Sequence, residues 1–300
     1  MARDQKGKNN RWLPLASAIR RGGVIILLLA GLMAGLFEQC AAADLPLSPP
    51  SLDSGFHLLY DLNFDRAQQV FASWQQEHPD DPMGSASEAA GLLFSEFNRL
   101  GVLESQFFAD DHAFAARRKL TPDPAVRTNF DSALNRAEAT AQSRLTRDSK
   151  DRNALFAMVL IYGLRADYAA LVDKHNLESL RFTKQSNLWA QQLLAVDPTC
   201  YDAHLATGIS QYIIGSMAAP VRWFLKIGGV SGDKQNGIHE LQLTAENGRY
   251  LAPFARILLA IAYVREKETT HARELLVSLQ NDFPENPLFA REIARLDGRN

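Results

Sequence analysis

The sequence predicts an all-α protein, a right-handed α-solenoid of stacked helical hairpins broken by irregular helical insertions. Composition is the first observation: 46% of residues are hydrophobic and 22% charged, with Leu and Ala recurring throughout and Pro and Gly in short punctuating stretches. Periodicity is the second, because apolar residues recur at helical spacing over most of the chain. The third is a phrase that closes a helix three times, as Glu77-His78-Pro79-Asp80, Val196-Asp197-Pro198-Thr199 and Asp282-Phe283-Pro284-Glu285. Proline lacks an amide donor and ends one apolar helix, and another begins within a few residues.

Residues 1–43 stand apart from the rest. Arg3, Lys6, Lys8, Arg11, Arg20 and Arg21 precede an uncharged run of 16 residues, 22–37. That is long for the core of a signal peptide and short for a membrane span. Ala41-Ala42-Ala43 offers the small residues a signal peptidase reads, so cleavage after Ala43 is expected, with an uncleaved anchor as the alternative. Either places the domain outside the inner membrane, in the periplasm or envelope, with the basic end in the cytoplasm. Glu38 makes a poor lipidation sequence ahead of Cys40, and Ile19 and Gly22 fit a twin-arginine signal badly. Cleavage leaves a single cysteine, Cys200, and hence no internal disulfide. The segment carries a net +4 and the whole chain −2, so the remainder is −6. Without a basic stripe to release counterions, nucleic acid is excluded as the expected partner.

A Pro-rich leader, residues 44–54, precedes the helical domain, residues 55–300. Leu58, Leu59 and Leu62 form an apolar face, Asn63-Phe64-Asp65 reads as a tight turn, and Ala67, Val70, Phe71 and Trp74 continue on a second helix. Helices this short must pack as an antiparallel hairpin. The middle is less regular. A helix begins over Ala89 to Leu93, and 97–129 carries extra material in which Phe107, Phe108 and Phe114 suggest an ordered helical excursion. A periodic face resumes at Phe130, Ala133, Ala137 and Ala141. Leu155 to Leu164 form another helix, and Tyr168 to Leu180 separate it from one holding Leu188, Trp189, Leu193 and Leu194. Four or five hairpins are expected in all. Phe289, Ile293 and Leu296 fit a terminal cap helix, with a dimer contact as the alternative.

These units resemble tetratricopeptide repeats. Gly55 and Ala67 take the small positions of the first unit, Phe71 and Trp74 the large ones, and Pro79 closes it. Gly208 takes the small position after Pro198, and Tyr263, Ala272, Leu276, Leu279 and Pro284 fall at the expected offsets. Residues 208–264 are also similar to the eukaryotic tetratricopeptide family of inclusion-clearance and mitochondrial outer-membrane proteins. Pro220, Arg222, Leu225, Lys226, Ser231, Gly232, Asp233 and Gly237 match its pattern, with Val230 replacing the aromatic. That resemblance implies association with intracellular membranes and carries no defined activity; the export signal departs from it.

Little in the sequence reads as reactive chemistry. None of the histidines at 57, 78, 112, 175, 204, 239 and 271 has a metal-binding spacing, and His271 with Glu274 reads as a surface pair. Cys200 reads as a small core hydrophobe. The run Gly228-Gly229-Val230-Ser231-Gly232-Asp233-Lys234 lacks phosphate-loop spacing, so a connector with Ser231 or Asp233 capping the next helix outweighs a ligand loop. Residues 217–227 hold Trp223, Phe224 and Ile227 beside Arg222 and Lys226, which suits packing or an amphipathic lid or membrane-surface helix. The candidate binding residues are Tyr212, Arg222, Trp223, Lys226, Asp233 and Lys234. The expectation is a non-enzymatic scaffold or adaptor, without cofactor or metal, that binds a protein or peptide in a concave helical groove. A carrier of lipid or another small apolar ligand is the alternative, and a membrane surface is a further partner class.

Overall fold

The computed structural model of the chain describes residues 51–102, 120–216 and 232–298, and these contain helices, turns and no strand. Eleven α-helices follow in order among them. They are α1 (Leu52–Tyr60), α2 (Phe64–Glu77), α3 (Pro82–Arg99), α4 (Pro124–Arg147), α5 (Arg152–Leu171), α6 (Asn176–Val196), α7 (His204–Ser216), α8 (Lys234–Asn247), α9 (Ala252–Arg265), α10 (Thr269–Asp282) and α11 (Pro287–Asp297), with a 3₁₀ turn, Tyr201–Ala203, before α7. Each helix packs on the next, and α3 also packs on α1 and α5. Among the described residues the arrangement is repeat-like, with consecutive helices packed pair upon pair.

Small residues set the spacing inside hairpins. A methyl group on Gly55 would lie 2.8 Å from Phe71 Cδ1, and one on Gly237 would lie 2.7 Å from Tyr212 Cα. Ala67, Phe71, Ala272, Leu276 and Leu279 are buried at their expected offsets. Phe130, Ala133, Ala137 and Ala141 form the buried face of α4, and Leu288, Phe289, Ile293 and Leu296 that of α11, which packs on α10 as a cap. In α5 and α9 apolar residues are buried on every side, as expected of core helices. By length and composition α5 could cross a bilayer, yet most of it is buried inside the protein.

Several boundaries differ from the sequence expectation. Phe64 and Asp65 open α2 instead of forming a turn, because Leu62 takes a left-handed φ of 62° and completes the reversal by itself. Asp81 accepts from the Met83 amide at 2.9 Å, and Pro82 occupies the first turn, so α3 starts well before Ala89. Helix α5 runs through Tyr168 to Leu171 and α6 opens at Asn176. The expected separator 168–180 is therefore only the loop 172–175, turned by Lys174 at φ 57°. Phe107, Phe108 and Phe114 lie outside the described residues, and α1 begins at Leu52, within the expected leader.

The hairpins do more than stack in sequence. On α1, Phe56 meets the ring of Tyr250 at 5.0 Å, and Tyr60 meets Phe283 at 5.4 Å. The Tyr60 hydroxyl donates to the Tyr250 carbonyl at 2.9 Å, while the buried Asn286 amide donates to the Tyr60 carbonyl at 2.8 Å. Arg249 grips Asp53 through two bonds of 2.8 and 2.7 Å. Phe156 of α5 stacks on the other side of this cluster, 6.1 Å from Tyr250, and Phe94 of α3 meets Phe254 of α9 at 5.9 Å. The first helix thus touches the loops on either side of the α9–α10 pair, the Tyr250 ring lies between α1 and α5, and α3 meets α9 through Phe94 and Phe254.

Candidate interaction surface

Space remains on the outer side, where α2, α3 and α4 meet. Gly84 and Gly91 hold α3 close to α2, since a methyl group on either would lie 2.5 Å from Gln75 Cγ or Gln68 Nε2. Ala72 on α2 and Ala139 on α4 then leave a trough above α3. It consists of three adjoining depressions of about 380, 360 and 580 Å³; Gln75 lines the first two, Arg136 and Ala139 line the last two, and the largest is lined by α4 alone. Most lining residues are of polar type, while their apolar atoms supply the larger share of the exposed lining. Gln68 and Gln75 come from α2, Ser85 and Glu88 from α3, and Thr128, Asp131, Ser132, Asn135 and Thr140 from α4.

A hydrogen-bond network fixes these side chains. Gln75 Nε2 donates to Glu88 Oε2 at 3.1 Å, Ser85 Oγ donates to Gln75 Oε1 at 3.0 Å, and Arg136 reaches the same Glu88 oxygen at 2.6 Å. The other Arg136 nitrogen donates to Ser132 Oγ at 3.0 Å. Arg127 holds Asp131 at 2.7 Å, and Arg165 donates to Asn135 Oδ1 at 3.1 Å. Arg136 remains half exposed at the junction of two depressions. The surface offers donors and acceptors in fixed positions and no nucleophile paired with a base.

Of the residues singled out in the sequence, Tyr212, Asp233 and Lys234 fall elsewhere. Tyr212 is buried in the core, with its backbone against Gly237. Asp233 caps α8, accepting from the Asn236 amide at 2.9 Å, and Lys234 pairs with Glu266 at 2.7 Å. The connector reading therefore holds for Asp233. Arg222, Trp223 and Lys226 lie outside the described residues. Nothing at sequence level marks the trough, because Gln, Ser, Asn and Thr on helix surfaces are ordinary.

Among the titratable groups, one contact differs from expectation. His271 contacts Glu268 at 3.1 Å, on the preceding turn, instead of Glu274. Glu240 turns away from adjacent His239 and bridges to α7, where it meets His204 Nδ1 at 2.5 Å and accepts from Thr207 at 2.7 Å. Burial, reinforced by the Asp202 charge, pushes the Cys200 thiol up to about 11, which suits a structural thiol. Among the described residues, no group of three or more His, Cys, Asp or Glu could hold a metal ion. No protein-family model matches the chain, and no curated protein matches it in sequence.

Proposed function

We propose that the chain is an exported, non-enzymatic scaffold of tetratricopeptide-like hairpins that holds an extended segment of a protein partner in the outer trough between α2 and α4. The observation that carries this reading is the fixed Ser85–Gln75–Glu88–Arg136–Ser132 network lining three adjoining depressions. An extended peptide has free backbone amides and carbonyls at regular intervals, and amide and hydroxyl side chains at helical spacing can match them. Because the network is already ordered, little side-chain entropy is lost on binding. The basic segment, the apolar run 22–37 and Ala41-Ala42-Ala43 support export to the periplasm or envelope.

A photo-crosslinking amino acid at Ala139, in the floor of the trough, tests the proposal in the producing cell. The expected product is a discrete protein adduct that disappears with Arg136→Glu and is absent when the crosslinker replaces exposed Glu274 on α10. No adduct, or equal adducts at both positions, would sink the reading. An adduct with a lipid would favour a carrier.

A further inference from the structure

Leu177 and Leu188 are the large apolar side chains that stand exposed among the described residues, at 84% and 41%. Both lie on α6. Eleven positions are close to three turns, so the two leucines point within about 20° of each other and lie about 16 Å apart. Arg181 and Lys184 stand exposed between them on the same side. Arg181 is 70% exposed, lies over the Phe182 ring at 5.4 Å, and has Glu178 only at 3.7 Å. The opposite side of α6 is locked inward. Ser186 donates to the Val159 carbonyl of α5 at 2.8 Å, and Ala190 and Leu193 are buried. The helix cannot roll to hide its leucines.

Charge along the chain sharpens the picture. Residues 51–102 hold two Lys or Arg against eight Asp or Glu, whereas 120–196 hold ten against eight. After the basic N-terminal segment, the stretch 120–196 that carries the exposed leucines has a net formal charge of +2, whereas 51–102 has −6. Two isolated leucines without an aromatic anchor or a pocket make a poor protein interface, which needs a packed central cluster. A bilayer interface requires no matching pocket. Leucines enter the acyl boundary while Arg and Lys keep their charged ends at the headgroups.

We propose that the outward side of α6 rests on an anionic phospholipid bilayer, with Leu177 and Leu188 entering the interface and Arg181 and Lys184 meeting the headgroups. The contact is weak by itself and acts as a second attachment, since stable anchoring takes two signals. Where the run 22–37 is retained it supplies the first, and α6 then sets how the helical array lies on the membrane.

The test uses the full chain in lipid nanodiscs, with an environment-sensitive fluorescent amino acid replacing Leu177, Leu188 or, as control, Glu274. In phosphatidylglycerol-containing discs the probes at 177 and 188 should shift to the blue and the control should not. Each cation near an anionic surface contributes about 1 kcal/mol, or about fivefold. Arg181→Glu with Lys184→Glu, both at exposed positions, should therefore lower the equilibrium constant for seating α6 on the disc, read from the blue-shifted share of the probes, at least tenfold, as should high salt. No shift, or the same shift in purely phosphatidylcholine discs, would overturn the proposal. So would a blue shift without lipid that grows with protein concentration, which would assign this side to a second copy of the chain.

Discussion

Asp61 sits where α1 is joined to the loop before α11, and its replacement by asparagine should stabilise the protein at neutral pH. Its side chain is only 9% exposed, Oδ1 is buried without a partner, and Oδ2 lies 3.4 Å from His57 Nε2. Burial pushes the carboxyl up to about 6; the neighbouring imidazole opposes the rise and the Glu285 charge adds to it. The unfolded chain should titrate Asp61 near the ordinary value of about 3.9. Between those values the folded state binds the extra proton, so stability rises as pH falls from above 6 towards 4 and is lost again as pH rises through 6. Two pH units correspond to at most about 3 kcal/mol. The asparagine amide would itself lack a partner at Oδ1, which costs about 1 kcal/mol. The net gain expected for Asp61→Asn is therefore about 1–2 kcal/mol at pH 7.5 and close to none at pH 4.5. Urea unfolding of both proteins at several pH values between 4.5 and 8 reads this directly. Parallel stability curves, or a gain that grows at acid pH, would refute the reasoning.

Asp202 accepts from the Arg249, Tyr250 and Leu251 amides at 2.8–3.1 Å while 6% exposed. Asp202→Ala should therefore cost about 3 kcal/mol or more in urea unfolding, and Asp202→Asn clearly less. Gly237→Ala places a methyl against the Tyr212 backbone, which belongs to the neighbouring helix and cannot swing aside. The expected cost is about 1–3 kcal/mol, read as a lowered Tm. With its thiol pushed up to about 11, Cys200 should react with a thiol reagent at pH 8 about a hundredfold more slowly in the folded protein than in urea. Equal rates would contradict its burial.

Where local chemistry decides structure, the sequence was readable. The three proline phrases mark helix ends, and the Gly55, Ala67 and Phe71 pattern identifies a hairpin because a small residue must face a large one at that crossing. The α5–α6 boundary was misread for a physical reason. A helix buried on every side has no apolar stripe to track, and the exposed Leu177 breaks the period at the start of α6. The join between α1 and the loops on either side of the α9–α10 pair was out of reach, since Phe56, Tyr60 and Asp53 find partners 190 or more residues away. The trough escaped for another reason. Its polar residues form a network only once α2, α3 and α4 lie side by side, and none belongs to a motif.

Three helix-capping residues, Asp81, Asp151 and Asn286, also tie helices to one another. A cap needs to satisfy only one or two free amides. Asp81 caps α3 and also accepts from the Trp74 indole at 2.9 Å and from Asn153 of α5 at 2.6 Å. Asp151 caps α5 and holds Arg144 at 2.7 Å. Asn286 caps α11 and holds the Tyr60 carbonyl of α1. At one rim of the array, then, the bonds that start helices also tie neighbouring or distant helices together. Opening the inner side there would break caps and part the Phe56, Phe156 and Tyr250 rings together, so the loss would be shared by several helices instead of a single contact. A partner that enters by that route must compensate all of it, whereas one that lies between α2 and α4 meets side chains already held in place. If the chain binds a partner between α2 and α4 as proposed, that contact leaves these shared bonds intact.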